Sequence, residues 1–391
     1  MRYLGNQRRL LGHIVECAGR LGFRSGTVCD LFAGSGVVGR HFRALGNRVI
    51  AADLMDCSHV FQKVFLELEG PPQFEGLAAR IDLGPPRSDE RIPADSPFPG
   101  SQWAQASRVA RYLEEIVPPR AGTLTRQFSP AGSAQRLYFR PEAAARLDGW
   151  LQALREWSAS GWLADGESHF LLAAIIDAAD RVANISGTYG AFLKTWQASA
   201  NRAVELSFPA LVAGPRGQAN RVDALEWLPD VEADLLYVDP PYNQRQYPAN
   251  YHVLELIARL PFAADVDRLE AELYGKTGLM PWQDRASPLC SAGKCVEAFR
   301  RLLQSTRIPR VLISYSEEGL MTREQFAELL GAYSGGAPED FLTTVSHPRF
   351  RSDADGRVSR SGARRQYRQL AGRARDEVHE WLFHARKVGT P

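Results

Sequence analysis

Four consecutive residues, Asp239, Pro240, Pro241 and Tyr242, combine side chains that could hold a planar amine. They follow the apolar run 235–238, which predicts a buried strand and places the four residues at its carboxyl end, where open α/β sheets bind ligands. Two adjacent prolines stiffen the loop and leave carbonyl acceptors without a competing N–H. The loop offers a carboxylate, carbonyls and an aromatic face, which suit a base amino group such as adenine N6. Taken alone, the four residues also fit an ordinary strand end followed by a Pro-Pro turn.

A second motif, Val-Cys-Asp-Leu-Phe-Ala-Gly-Ser-Gly, occupies residues 28–36. It reads as a strand that enters a turn, and Gly34 and Gly36 allow positive φ angles and close backbone approach to a ligand. Residues 37–45 predict a helix whose first N–H groups would face a carboxylate. A second strand, 48–52, ends at Asp53, which is placed to bind two ribose hydroxyls. Because Gly39 completes a literal G-x-G-x-x-G pattern, a nicotinamide dehydrogenase remains an alternative.

The two motifs together resemble the S-adenosylmethionine-dependent amino methyltransferases, and more closely the Dam-like D12 class of DNA adenine-N6 methyltransferases. Further stretches carry the resemblance: residues 2–11, 182–194, 239–247 with its continuation 250–255, and the last strand, 377–383. The block 66–165 is unmatched. Gln7 departs from the class, in which a lysine is common at this position, so no charged contact is carried over to it.

The resemblance implies a Rossmann-like seven-stranded methyltransferase sheet with an antiparallel last strand and an inserted, mainly helical target-recognition domain. A bare sheet would separate the two acidic motif positions by roughly 80–110 residues, whereas Asp30 and Asp239 are about 200 residues apart. This spacing permits an inserted block, and the resemblance supplies its role. We therefore predict a catalytic domain in two parts, 1–68 and 166–391, with a recognition domain at 69–165.

The resemblance also implies the reaction and its residues. A methyl group would pass from S-adenosylmethionine to N6 of an adenine flipped out of double-stranded DNA. The catalytic residues would be Asp239 and Pro240, which accept the amino protons, and Tyr242, which stacks on the base. The residues expected to bind the cofactor are Tyr3, Asn6, Asp30, Phe32, Gly34, Gly36, Asp53 and Asp223. For Asp223 the alternative is a purely structural cap of the helix 224–228.

Several basic and aromatic residues are candidates for DNA contact. Arg245 and Tyr247 follow the catalytic motif, and Arg364, Arg365 and Arg368 belong to an arginine-rich run that could bind phosphates. A solvated loop is the alternative for that run. Within the block 69–165, the candidates for reading bases are Arg108, Arg111, Arg126 and Arg136.

Composition sets further expectations. The formal net charge of +2 is too small to indicate a nucleic-acid partner by itself. The sequence lacks an apolar run of membrane-spanning length and a signal-peptide pattern, and its five dispersed cysteines fit no zinc pattern, so we expect a cytoplasmic protein without a metal site. The expected partners are double-stranded DNA and, in a restriction-modification context, a separate restriction endonuclease. Alternatives are an RNA base-amino methyltransferase and a non-catalytic DNA-binding protein on the same fold.

Overall fold

A computed structural model of the 391-residue chain describes residues 7–87, 91–335, 342–348 and 377–389. Its centre is one seven-stranded sheet with the order β3-β2-β1-β4-β5-β7-β6. The strands are β1 Thr27–Leu31, β2 Arg48–Asp53, β3 Gln218–Arg221, β4 Leu235–Val238, β5 Arg310–Ser316, β6 Leu342–Pro348 and β7 Glu377–Arg386.

Strand direction divides the sheet into two parts. Strands β1 to β5 pair in parallel, and β7 pairs antiparallel with both β5 and β6. The predicted Rossmann-like methyltransferase sheet with an antiparallel last strand is therefore confirmed. β1 lies between β2 and β4, so the connections turn in opposite directions from it. The carboxyl ends of β1 and β4 form the switch point at which such sheets bind ligands.

Fourteen α-helices occupy the described ranges. They are α1 Leu11–Arg20, α2 Val37–Ala44, α3 Asp56–Gln62, α4 Glu75–Ala78, α5 Gly100–Arg111, α6 Thr123–Phe128, α7 Pro141–Ala159, α8 Asp165–Val182, α9 Ala224–Trp227, α10 Tyr247–Asn250, α11 His252–Arg259, α12 Val266–Ala271, α13 Cys295–Ser305 and α14 Arg323–Ser334. Helices α3 and α5 continue as π-helical turns over Lys63–Glu67 and Tyr112–Ile116, and a 3₁₀ turn, Gln7–Arg9, precedes α1.

The two faces of the sheet have separate cores. Helices α1 and α2 cover one face, where Ile14 and Phe42 pack with Tyr237 of β4 and Leu382 of β7. Helices α13 and α14 cover the other face. The alternation of side chains along each strand thus places residues 237, 312 and 382 on the same face as the N-terminal segment.

The block 69–165 shares a hydrophobic core with the helices around it. Trp103 and Trp150 belong to one buried cluster with Phe170 of α8 and Leu254 of α11. Helix α8 is buried along most of its length, which suits a helix that is apolar all round. The block therefore packs directly on helices α8 and α11.

Two negative findings apply to the residues that the structure describes. None of their helices is both long enough and apolar enough to cross a bilayer. No group of three or more metal-ligating side chains among them is arranged to hold an ion. The five cysteines are free and buried.

Candidate active site

A cavity opens at the carboxyl ends of β1, β2 and β4 and brings the two sequence motifs together. Eight of the predicted site residues line it: Asp30, Phe32, Gly34, Asp53, Asp223, Asp239, Tyr242 and Tyr247. Gly36, Pro240 and Arg245 lie beside the lining residues in sequence without forming part of the wall. Tyr3, Asn6, Arg364, Arg365 and Arg368 fall outside the described residues.

The turn after β1 has the backbone conformation that its glycines permit. Gly34 and Gly36 have φ angles of 51° and 73°, and Gly36 is the N-cap of α2. Phe32 also has a positive φ, 63°, which is unfavourable for a bulky residue and is found preferentially at functional sites. Residues 32–35 of this turn line the cavity.

The acids at the ends of β1 and β2 brace this turn. Asp30 Oδ2 accepts a hydrogen bond from Gly39 N at 2.8 Å, and Asp53 accepts from Gly34 N and Met55 N, both at 2.8 Å. Burial raises the pKa of Asp30 to about 8 and that of Asp53 to about 6, against the opposing effect of these N–H donors. Both carboxyl groups therefore have a structural role and also line the cavity.

Asp223 caps helix α9 and also lies in the cavity wall. Its Oδ1 accepts from Leu225 N at 2.8 Å and Glu226 N at 3.3 Å, which caps α9. The residue also lines the cavity. The capping role is confirmed, and it leaves the second carboxylate oxygen outside these two bonds.

Asp239 lies at the centre of the cavity wall, directly after β4. Loss of solvation there raises the pKa of its carboxyl group to about 7, although the Gln7 side chain opposes the shift by donating to Oδ2 at 2.9 Å. Tyr242 packs edge-on against Tyr315 with a centroid distance of 6.3 Å, and its carbonyl accepts from Leu320 N at 2.9 Å. A carboxylate and an aromatic face are thus held in one cavity.

The comparisons with known proteins decide the family. The model of the D12 class N6 adenine-specific DNA methyltransferase family matches residues 3–76 and 167–313. The chain belongs to the D12 class. The unmatched gap between the two segments contains most of the block that sequence spacing indicated as inserted.

Named relatives of the D12-class chain are restriction-modification enzymes. It is 30% identical over 395 residues to the type II methyltransferase M.FokI of Planomicrobium okeanokoites, covering 99% of this chain and 53% of that protein. It is 29% identical to M.NlaIII of Neisseria lactamica, covering 90% and 93% respectively. It is 30% identical to the modification methylase StsI of Streptococcus sanguinis, covering 85% and 46%. The chain thus spans about half the length of two of these relatives and nearly all of the third. No solved structure matches it significantly.

A wall of the cavity that the motifs did not reveal comes from residues 284–290. Gln246 exchanges hydrogen bonds with the backbone of Ser287, Ser287 N to Oε1 at 3.1 Å and Nε2 to Ser287 O at 3.5 Å. Cys290 Sγ donates to Arg245 O at 3.5 Å. These contacts hold the catalytic loop against the wall. The segment carries no motif of its own, so only tertiary contacts identify it.

A buried charge cluster supports both sides of the cavity. Glu255 of α11 is fully buried and accepts from Arg285 at 2.6 Å and from Cys57 N at 2.8 Å. Asp56, at the start of α3, pairs with Arg259 at 2.6 Å and with Arg221 at 2.9 Å. The cluster ties the segment after Asp53 to the wall that contains Arg285.

The prediction that four arginines of the inserted block read base edges is wrong for Arg111 and Arg136. Both are buried, and Arg136 donates to Gly275 O and Lys276 O at 3.1 Å. Arg126 pairs with Glu270 at 2.6 Å, and Arg108 donates to Gly84 O at 2.8 Å. Interleaved basic and aromatic residues in this block therefore tie its loops to the chain, because guanidinium groups can satisfy several buried carbonyls at once.

Proposed function

We propose that this chain transfers a methyl group from S-adenosylmethionine to N6 of an adenine extruded from double-stranded DNA, as the modification enzyme of a restriction-modification system. The observation that carries the proposal is the single cavity in which Asp30, Asp53 and Asp223 meet Asp239 and Tyr242. D12-class membership and the names of the relatives agree with it.

The charge of the cavity supports this cofactor. The described side chains that line it include one cationic group, Arg285, and five acids, which are Asp30, Asp53, Asp223, Asp239 and Asp284. An acidic cavity attracts a sulfonium cation and opposes the pyrophosphate of a nicotinamide dinucleotide. The electrostatics therefore count against the dehydrogenase alternative.

The lining residues fit the parts of this cofactor. Asp53 would accept from the ribose hydroxyls, the second oxygen of Asp223 would accept from the cofactor's adenine amino group, and the Gly34 turn would provide close backbone contact. S-adenosylmethionine supplies an electrophilic methyl group. Phe32 offers an apolar surface beside these polar groups.

The catalytic loop would act on the target base by positioning and electrostatics. The Asp239 carboxylate and the Pro240 carbonyl would accept hydrogen bonds from the two N6–H groups. These hydrogen bonds would draw the nitrogen lone pair out of ring conjugation toward the electrophile. As the new N–C bond forms, the methyl C–S bond would break and its electron pair would stay on sulfur, leaving a neutral thioether, while Asp239 would take up the proton that the nitrogen loses. Tyr242 stacks on the extruded base and offsets part of the cost of unstacking, which is about a few kcal/mol.

DNA contacts are further parts of the proposal. Arg245 is exposed next to the cavity and would contact a phosphate, whereas Tyr247 lies in the wall and would contact the extruded nucleotide. The arginines at 364, 365 and 368 would bind phosphates without sequence preference. The block 69–165 would carry target recognition through exposed side chains, with a separate endonuclease cutting the same sequence. A cytoplasmic location, beside the chromosome, follows from this role.

Transfer of labelled methyl groups tests the proposal. Purified protein is incubated with labelled S-adenosylmethionine and either duplex DNA or ribosomal RNA, and the nucleosides of each product are separated. We expect label in N6-methyladenine from DNA. Label in a methylated guanine of RNA would establish the RNA enzyme instead, and a protein that binds DNA without transferring label would be a non-catalytic relative.

A further inference from the structure

Gln7 joins two carboxyl groups beneath the catalytic loop. Its Nε2 donates to Asp239 Oδ2 at 2.9 Å, and its amide also forms a hydrogen bond with the Glu380 carboxyl group. Asp239 follows β4, whereas Glu380 lies on β7 opposite Ser316 of β5. Helix α1, which follows Gln7, packs on the same sheet face and brings the amide to this position. Three residues far apart in sequence therefore meet at one corner of the cavity.

One buried acceptor of this group, the Gln7 side-chain oxygen, lacks a donor within the described part of the chain. Gln7 and Glu380 are both buried, and Gln7 Oε1 has no partner among the described residues. Burial raises the pKa of Glu380 to about 8, nearby Asp239 raises it as well, and the bond from Gln7 opposes the shift. A protonated Glu380 would supply an O–H donor for the buried Gln7 Oε1.

We propose that Gln7 and protonated Glu380 are positioning residues that hold the Asp239 carboxylate toward the target amino group without placing a cation beside it. The inference rests on the proposed function, because it concerns the group that accepts the N6–H bond. An ammonium group at position 7 would favour the ionised Asp239 strongly. The neutral amide of Gln7 favours it only through one hydrogen bond.

This arrangement has a measurable consequence for the pH dependence of the reaction. The described titratable groups that face Asp239 are acids and phenols: Asp30 of β1, Tyr237 of β4, Glu380 of β7, and Tyr242 and Tyr247 of the following segment. None of them carries a positive charge, so none favours the ionised form of Asp239. Protonation of Asp239 should therefore remove activity near neutral pH, and the acidic limb of the pH–rate profile should respond to a changed charge or a lost hydrogen bond at position 7.

Substitutions at one residue should move that limb in opposite directions. Single-turnover methyl transfer to duplex DNA, at saturating cofactor and DNA, is measured across the pH range in which the protein is folded. Gln7→Lys should move the acidic limb to lower pH by about 1 unit or more, because a cation within reach of a carboxylate lowers its pKa by that amount. Gln7→Leu should move it to higher pH, since Asp239 loses its donor. Glu380→Gln should leave it in place, since one neutral hydrogen-bond donor replaces another.

Controls separate positioning from a general loss of structure. Glu297→Gln removes an exposed acid from α13, with a side chain 62% exposed, and should leave the limb in place. Thermal unfolding of each variant shows whether the fold persists. If Gln7→Leu does not fold, Gln7→Lys and Glu380→Gln carry the test.

The outcomes separate the roles of Gln7 and Glu380 from the proposed methyl-transfer activity. Opposite shifts for Gln7→Lys and Gln7→Leu would support the inference, because a merely structural role lowers the rate without moving the limb in both directions. With the wild type forming N6-methyladenine, an unmoved limb in Gln7→Lys, or a limb moved to lower pH in Glu380→Gln, would overturn this inference alone. A wild type that forms no N6-methyladenine would overturn the proposed function.

Discussion

Some residues of the cavity contribute a charged group and others contribute an aromatic surface. Asp239 supplies a carboxyl group whose pKa is raised to about 7 by loss of solvation. Tyr242 supplies an aromatic ring that packs edge-on against Tyr315. Asp53 both braces the Gly34 turn and faces the cavity. Each of these positions follows from a strand end, so single substitutions can separate binding of the base from binding of the cofactor.

At Tyr242 the aromatic face should matter more than the hydroxyl group. Tyr242→Phe keeps a ring for stacking and should transfer methyl groups at close to the wild-type rate. Tyr242→Ala should lose about 1–3 kcal/mol of interaction with the extruded base, a decrease of about 5- to 150-fold in kcat/KM for DNA. Steady-state kinetics on duplex DNA test this. Equal losses in the two variants would assign the hydroxyl group, not the ring, as the important part.

Asp53 should be needed for cofactor binding before any DNA is present. Asp53→Ala removes an acceptor of the ribose hydroxyls and the brace on Gly34, and should weaken S-adenosylmethionine binding by about tenfold or more. Calorimetry measures this directly, with Asp230→Ala, an exposed acid outside the cavity, as the control. Unchanged affinity in Asp53→Ala would remove the cofactor assignment from this strand end.

The motif residues of the cavity could be predicted from the sequence. The residues that hold them in place through tertiary contacts could not. Apolar runs that end in Asp30, Asp53 and Asp239 fix both the strands and the edge of the sheet at which those residues meet. Gln246 and Ser287 lie in segments without periodicity or motif, and their pairing depends on tertiary contact. The burial of Glu255 could not be predicted, because a single glutamate on a helix carries no signal of burial.

At the scale of elements, the strands and helices of the catalytic part were predictable, but the packing of the inserted block was not. The run 235–238 is β4, and the predicted helix at 37–45 is α2. In the block 69–165, the sequence showed helices with interleaved arginines and aromatics, and did not show which of these face inward. Arg136 lies under the turn at 275–276, because its guanidinium satisfies three backbone carbonyls there, those of Gln127, Gly275 and Lys276.

Arg136 should therefore contribute to stability and not to the reading of one base. Arg136→Leu leaves buried carbonyls without donors and should lower the free energy of unfolding by about 1–3 kcal/mol. Arg268→Leu, on α12 with a side chain 80% exposed, should change it by no more than about 0.5 kcal/mol. Chemical denaturation measures both. If Arg136→Leu keeps full stability but relaxes the methylated sequence at one position, the original prediction of base reading would be restored.

At the scale of the whole molecule, the acidic cavity is a source of instability that the cofactor's positive charge should relieve. Asp30, Asp53, Asp239 and Glu380 all have raised pKa values because of burial. A raised pKa means that the folded state holds the proton more tightly than the unfolded state does. The contribution to stability is then complete at low pH and is lost as the pH rises through the folded-state value.

Asp239→Asn should reveal this contribution as a difference in pH dependence. The pKa of Asp239 rises from an ordinary 3.8 to about 7, so the wild type loses stability across that interval while the asparagine variant has no such proton to lose. Relative to wild type, the variant should gain about 1.4 kcal/mol for each unit of the pKa shift that is realised. Thermal unfolding without cofactor, from acidic to slightly alkaline pH, provides the measurement. A stability difference that stays constant with pH would show that Asp239 is solvated.

The central claim is that Asp239 accepts a hydrogen bond from the amino group of an adenine in this cavity. The most direct test measures the rate at which purified protein forms N6-methyladenine in duplex DNA. The rate is compared between the wild type and Asp239→Ala. Cofactor affinity is measured on the same preparations. We predict that the wild type forms N6-methyladenine and that the variant binds S-adenosylmethionine with little change but loses transfer. A variant that retains more than about a tenth of the wild-type rate would contradict the claim, because a group that supplies several kcal/mol of transition-state stabilisation cannot be removed at so small a cost.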